Sequence, residues 1–110
     1  MSESLFVAHI GNPDFHDGTV ISVLAKADRV SVVIQGQSGR TYTLDFNGVT
    51  RLASNRAEGM TLYAVTEMEA PQPLRRFVFV NWHGEDDASL EVTATGFTIS
   101  EEFEIRTEQR

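Results

Sequence analysis

His16 and Asp17 are adjacent, and an imidazole beside a carboxylate is the smallest pairing in this chain that could carry acid–base chemistry. In an extended chain neighbouring side chains point to opposite faces, so these two meet only if the backbone turns between them. Asn12-Pro13-Asp14 before and Gly18 after supply turn-forming residues. Two arrangements fit the segment: a small hydrolase or metal-dependent centre on His16 and Asp17, or a structural corner. In the corner, Asp17 accepts the amide of Thr19 while His16 packs or hydrogen-bonds, and this is the simpler expectation.

The remaining reactive side chains are dispersed. A metal would require His9, His16 and His83 to converge with a carboxylate, yet His9 and His16 match no compact zinc spacing, so neither metal nor cofactor is expected. Glu67 and Glu69 would share a strand face about 6.6 Å apart. Paired carboxylates near that distance hydrolyse glycosides, but such pairs flank a cleft from different elements, and solvent-facing acids explain these two. Gly36-Gln37-Ser38-Gly39-Arg40 departs from G-x-S-x-G at its last residue and reads as a hairpin turn. Arg75 and Arg76 begin the most apolar segment on opposite faces, suited to an anion, to pairing with Glu67 or Asp45, or to water. Trp82 and His83 end it. Arg75, Arg76, Trp82 and His83 are therefore the candidate binding residues, with Arg76 and Trp82 at the mouth of any ligand site between two sheets.

These groups sit on a chain of 110 residues with no cysteine, 41% hydrophobic residues and a formal charge of -7. Such a length fits a single domain over residues 1–110, with fraying expected at 1–12 and 106–110. Disulfides, thiol nucleophiles, cysteine-zinc sites and iron–sulfur clusters are excluded by the missing sulfur. No apolar run approaches the roughly 20 residues of a membrane helix, and the acidic start lacks the pattern of a secretory signal, so a cytoplasmic protein without membrane contact is expected. Residues 85–110 hold eight of the sixteen acids and two of the nine bases, which concentrates -6 of the charge there. Nucleic acid would be repelled by that end and a basic partner attracted; equally, scattered acids keep a small domain in solution.

Alternation with a period of two dominates. Tyr42, Leu44 and Phe46 fall on one face and Thr41, Thr43 and Asp45 on the other. Met60, Leu62, Ala64 and Met68 likewise alternate with Thr61, Tyr63, Val65, Glu67 and Glu69. Residues 75–82 are apolar on both parities, which predicts a central strand covered on both faces. Strands are also expected at 20–25 and 30–34 around a four-residue loop at 26–29, and at 90–94 and 97–105. Turns are expected at 36–39, 55–59 and 83–87, and Asn47-Gly48 reads as a bend. The one helical turn expected lies near 51–58. The chain should thus be an all-β, single-domain antiparallel sandwich, roll or flattened barrel of about six to eight short strands.

Phe15-His16-Asp17-Gly18-Thr19-Val20-Ile21, with Leu44-Asp45-Phe46-Asn47-Gly48-Val49 further on, resembles a group of small bacterial β-rich domains. These open with an aromatic-His-Asp motif and later carry an aromatic-x-Gly-Val turn. Some members are immunity-like, resembling proteins of polymorphic toxin systems, and many have no assigned function. The resemblance implies that His16 and Asp17 organise a corner near the first strand. Three functions are compatible with these features: a non-enzymatic domain whose acidic face engages a protein partner or a second copy of itself, a homodimer included; the His16/Asp17 enzyme; or a sandwich holding a small ligand.

Overall fold

A computed structural model describes residues 6–84 and 86–102. Its nine strands are β1 (Phe6–His9), β2 (Thr19–Lys26), β3 (Arg29–Gln35), β4 (Thr41–Asn47), β5 (Arg51–Asn55), β6 (Leu62–Met68), β7 (Arg75–Asn81), β8 (Ser89–Ala94) and β9 (Gly96–Glu102). They form two antiparallel sheets, ordered β1-β6-β7-β8-β5 and β2-β3-β4-β9. The expected all-β sandwich is therefore observed, with two more short edge strands than the alternation revealed. No helix among the described residues is long and apolar enough to cross a membrane.

The period-two faces meet in the core. Val30, Val32, Ile34, Tyr42, Leu44 and Phe46 from the smaller sheet oppose Leu62, Val65, Phe77, Phe79, Leu90 and Val92 from the larger. Phe46 lies against both Phe77 and Phe79, and Phe97 packs on Phe46 and Phe77. Each of these twelve side chains is removed almost wholly from water, a gain of roughly 25 cal/mol per Å² of apolar surface buried.

Several expectations are corrected in detail. Residues 51–55 are strand rather than helical turn; Arg51, Ser54 and Asn55 are exposed because β5 is an edge, which hides its pattern. Among the described residues the one helical turn is a 3-10 turn at Pro13–Phe15, started by Asn12, whose side chain accepts the Asp14 amide at 2.8 Å. The hairpin between β2 and β3 turns on Ala27 and Asp28 alone, because Lys26 already pairs with Arg29. β7 is central, as expected, but only one of its faces is covered. Phe77 and Phe79 are buried, whereas Val78 and Val80 on the outward face are only half-buried. Residues 6–9 of the expected fraying end form β1; residues 1–5 and 103–110 lie outside the described residues, as does the end of the strand expected at 97–105.

Asn47-Gly48 is indeed a bend, and it carries the chain from one sheet to the other. Gly48 has φ 62°, and a Cβ there would meet the Thr95 hydroxyl. Thr95, at the return crossing from β8 to β9, donates its amide to the Asn47 carbonyl at 3.1 Å. The two crossings brace each other at one end of the sandwich. The crossing from β1 to β2 lies elsewhere and holds the residues with chemistry.

Candidate functional site

The segment from β1 to β2 is fixed first by Asp14. Its Oδ1 accepts the Ser38 amide at 2.9 Å, and its Oδ2 accepts the Ser38 hydroxyl at 2.6 Å and the Tyr42 hydroxyl at 2.9 Å. The Ser38 hydroxyl does most to hold the Asp14 carboxyl below its ordinary range; burial opposes it, and the Ser38 amide, Tyr42 and Arg40 add to the lowering. Burial, then Asp14, pushes the Tyr42 hydroxyl up. Gly36 must be glycine here, since a Cβ would fall 2.1 Å from the Asp14 carboxylate. Phe15 inserts beneath, edge-on to Tyr42 at 5.0 Å.

With the turn pinned, His16 and Asp17 point outward. His16 is extended, at φ -65° and ψ 126°, whereas Asp17 is left-handed at φ 69°, a conformation that Asp tolerates better than most residues. The backbone therefore turns between them, and His16 Nε2 stands 4.0 Å from Asp17 Oδ2, with both side chains nearly half-exposed. The expected bond from the Thr19 amide to Asp17 is not formed; the corner is tied through backbone instead. Asp17 donates its amide to the Leu62 carbonyl at 2.9 Å, and Leu62 donates to the Gly18 carbonyl at 2.8 Å.

The strand facing this corner is irregular where it matters. The β6–β7 register shifts between Leu62 and Ala64, making Tyr63 the extra residue of a bulge. Its carbonyl accepts His16 Nδ1 at 3.0 Å. A carbonyl can only accept, so Nδ1 carries a proton and Nε2 is left facing Asp17 and solvent. Orientation of the imidazole thus comes from the strand carbonyl, and the carboxylate lies beyond hydrogen-bond distance of the free nitrogen. That geometry differs from a carboxylate–imidazole relay, in which the acid holds the nitrogen opposite the reacting one.

Around His16 gather aromatic rings. Tyr63 and Trp82 stack with centroids 5.4 Å apart and planes 21° from parallel, and His16 stands edge-on to both, at 5.3 and 5.1 Å. Trp82 is anchored just after β7 by its amide, which donates to the Thr61 carbonyl at 2.9 Å. Tyr63 is nonetheless 47% exposed and Trp82 45%. Beside them lies a depression of about 350 Å³ lined by His9, Ile10, Pro13, Phe15, Tyr63 and Val65, with His16 in its wall.

Of the residues singled out from sequence, His16, Asp17 and Trp82 come together. His9, considered only as a metal ligand, joins the depression. His83 does not line it, and its amide is taken by the Asn81 side chain at 2.9 Å. Among the described residues, no three metal-ligating side chains converge. Arg75 and Arg76 lie elsewhere. Arg75 makes a bidentate pair with Glu67, both contacts at 2.9 Å, and lies over the rings of Phe77 and Phe97. This pairing holds the Glu67 carboxyl below its ordinary range. Arg76 pairs with Glu91 on the outward face of β7, away from the space between sheets, which Phe46, Phe77, Phe79 and Phe97 fill. Glu69 lies just past the end of β6, and because Glu67 is committed to Arg75 the two acids do not stand as a free carboxylate pair.

The acidic stretch also looks different in three dimensions. Asp86 and Asp87 meet Arg56, Glu91 meets Arg76, and Glu101 meets Arg40 at 3.1 Å. Arginines from elsewhere in the chain, Arg76 on β7 and Arg40 and Arg56 just outside β4 and β5, thus answer these acids. The residue that sequence reading missed is Tyr63; the bulge that aims it shows only in the folded strand, as the three-residue step from buried Leu62 to buried Val65. Compared with known proteins, the chain matches no family model, no curated protein and no solved structure.

Proposed function

We propose that this chain is a non-enzymatic protein-recognition domain, and that a partner is held at the Tyr63–Trp82–His16 surface and the adjoining depression. The observation that carries this reading is the exposure of two large stacked aromatics on rigidly tied backbone. Tyr and Trp dominate recognition surfaces because they present wide contact area with few rotatable bonds. Here the rings are already ordered by the Tyr63 bulge, the Trp82 amide and the His16 contact, so little entropy would be lost on binding. An immunity-like role, with a toxin as the partner, is the form that the resemblance of residues 15–49 suggests. Charge in the acidic stretch is a weaker basis, because arginines of the same chain already pair with much of it.

The test is affinity purification from the native cell with wild type and Trp82→Ala side by side. The expected outcome is one stoichiometric protein retained by wild type and lost by a Trp82→Ala variant that still folds. Equal retention by both, or no retained protein, counts against the reading.

A further inference from the structure

We infer that the Tyr63–Trp82–His16 surface, together with the Asp17 carboxylate, takes an arginine side chain from a basic segment of a partner protein. The inference rests on the recognition role proposed above and names the chemistry recognised there.

The molecule contains its own example of such a site. Arg75 is held by two aromatic rings and one carboxylate: its guanidinium lies 5.4 Å from the Phe77 centroid and 5.2 Å from that of Phe97, with Glu67 receiving two of its donors. Rings supply the negative face of their quadrupoles and the acid supplies charge and acceptors. The outward site offers the same parts. Tyr63 and Trp82 are stacked and half-exposed, and the Asp17 carboxylate is joined to them through His16, whose ring is 5.1 Å from Trp82 and whose Nε2 is 4.0 Å from Asp17. Arg40, Arg56, Arg75 and Arg76 pair with carboxylates elsewhere, so none of these four supplies a cation here.

Asp17 differs from the other acids in its state. Asp14 receives three hydrogen bonds and Glu67 two, while the Asp17 carboxylate faces the imidazole at 4.0 Å, too far for a hydrogen bond. Its acceptor capacity is therefore open to an incoming donor. His16 Nε2, when unprotonated, adds an acceptor beside it, since Nδ1–H is committed to Tyr63. A guanidinium suits the set better than an ammonium, because its plane can lie on an indole or phenol ring while its edge reaches a carboxylate. The formal charge of -7 favours approach of a basic segment from a distance. An anionic ligand meets the opposite field, and a neutral one leaves Asp17 unanswered.

Trp82 is the sole tryptophan of the chain, so its fluorescence reports on this surface alone. The probes are acetyl-Gly-Arg-Gly-amide and the same tripeptide with lysine, citrulline or glutamate at the centre, titrated into the full chain. The expected result is a saturable change with the arginine peptide in the millimolar range, a weaker one with lysine, and none with glutamate. Citrulline keeps the shape and loses the charge, and should bind several-fold more weakly. Asp17→Asn should weaken the arginine peptide about two- to fivefold, the scale of a half-exposed charge pair, and added salt should act in the same direction. Asn tolerates the left-handed backbone at this position, so the variant is expected to fold, which circular dichroism checks. Equal response to citrulline and arginine, no response to arginine, or indifference to Asp17→Asn would each overturn the inference. If the arginine peptide fails while Trp82→Ala still abolishes capture of the partner, the recognition role survives and only its chemistry is wrong.

Discussion

Asp14 and Asp17 stand three residues apart in one connection, and the contrast between them separates fold from function in this molecule. Asp14 turns inward, and all its hydrogen bonds come from the chain itself, through Ser38 and Tyr42. Asp17 turns outward, on a left-handed backbone, beside an imidazole that itself packs against two stacked, half-exposed rings. A carboxylate whose acceptors are filled by its own protein stabilises that protein. One whose acceptors are open, at the surface beside an imidazole, contributes little to folding and is available to something else. Nothing in the residue type distinguishes them; the direction of the turn does.

The largest effect that would test this contrast is on stability. Asp14→Ala removes a charged acceptor and strands the Ser38 amide, the Ser38 hydroxyl and the Tyr42 hydroxyl together. Hydrogen bonds to charged groups are each worth about 1.5–3 kcal/mol, and the loss here should be about 2–3 kcal/mol after water reaches Ser38. Urea denaturation followed by circular dichroism measures it. A loss below about 0.5 kcal/mol, the scale of a featureless surface site, would mean that the pin does not hold the turn.

A smaller effect comes with acid. The Ser38 hydroxyl, more than any other group, keeps the Asp14 carboxyl below its ordinary range, so its folded pKa is lower than its unfolded one. Between those two values the unfolded chain takes up a proton that the folded chain refuses, and stability falls as pH drops through that interval. Asp14→Asn has no such proton to bind. The gap in urea midpoint between wild type and Asp14→Asn should therefore be full above about pH 5 and shrink steadily below about pH 4. Glu67, lowered by Arg75, adds acid sensitivity of the same sign to both proteins and cancels in the comparison. A gap that stays constant from neutral to acidic pH would show that the Asp14 charge contributes nothing.

The sandwich was legible in the sequence wherever a strand has one dry face and an even register. The Tyr42, Leu44, Phe46 alternation is such a case, with six consecutive pairs to β3 and seven to β9. Legibility failed at edges and at bulges. β1 is four residues with a register shift inside it, and β5 is five residues with three exposed, so neither buries enough to imprint a pattern. At Tyr63 a single extra residue reverses the parity of the rest of β6, so the alternation drawn from Met60 to Met68 assigned Val65 to the wrong face. For the candidate site, residue type pointed to His16 and Asp17, and the chain-local turn could be anticipated. Tyr63 could not be joined to them, because the bond linking it to His16 spans 47 residues and exists only once two strands of one sheet and a connection to the other are assembled.

The smallest expected effect falls on Asp17 and is the sharpest test of the comparison. Asp17→Asn keeps the shape of the side chain, keeps a residue that accepts φ 69°, and removes only the charge. The backbone bonds that tie the corner, from the Asp17 amide to the Leu62 carbonyl and from the Leu62 amide to the Gly18 carbonyl, do not involve the side chain and remain. The substitution costs one exposed contact with His16 at 4.0 Å, and pairs of that kind are worth about 0–1 kcal/mol. The urea midpoint should therefore move by less than about 0.5 kcal/mol in equivalent stability, in either direction. A loss as large as that of Asp14→Ala would place Asp17 among the groups that build the fold, and the outward corner could no longer be treated as a surface held ready for a ligand. A shift near zero, with the Tyr63–Trp82 stack unchanged by near-ultraviolet circular dichroism, would leave binding as the remaining consequence of that charge.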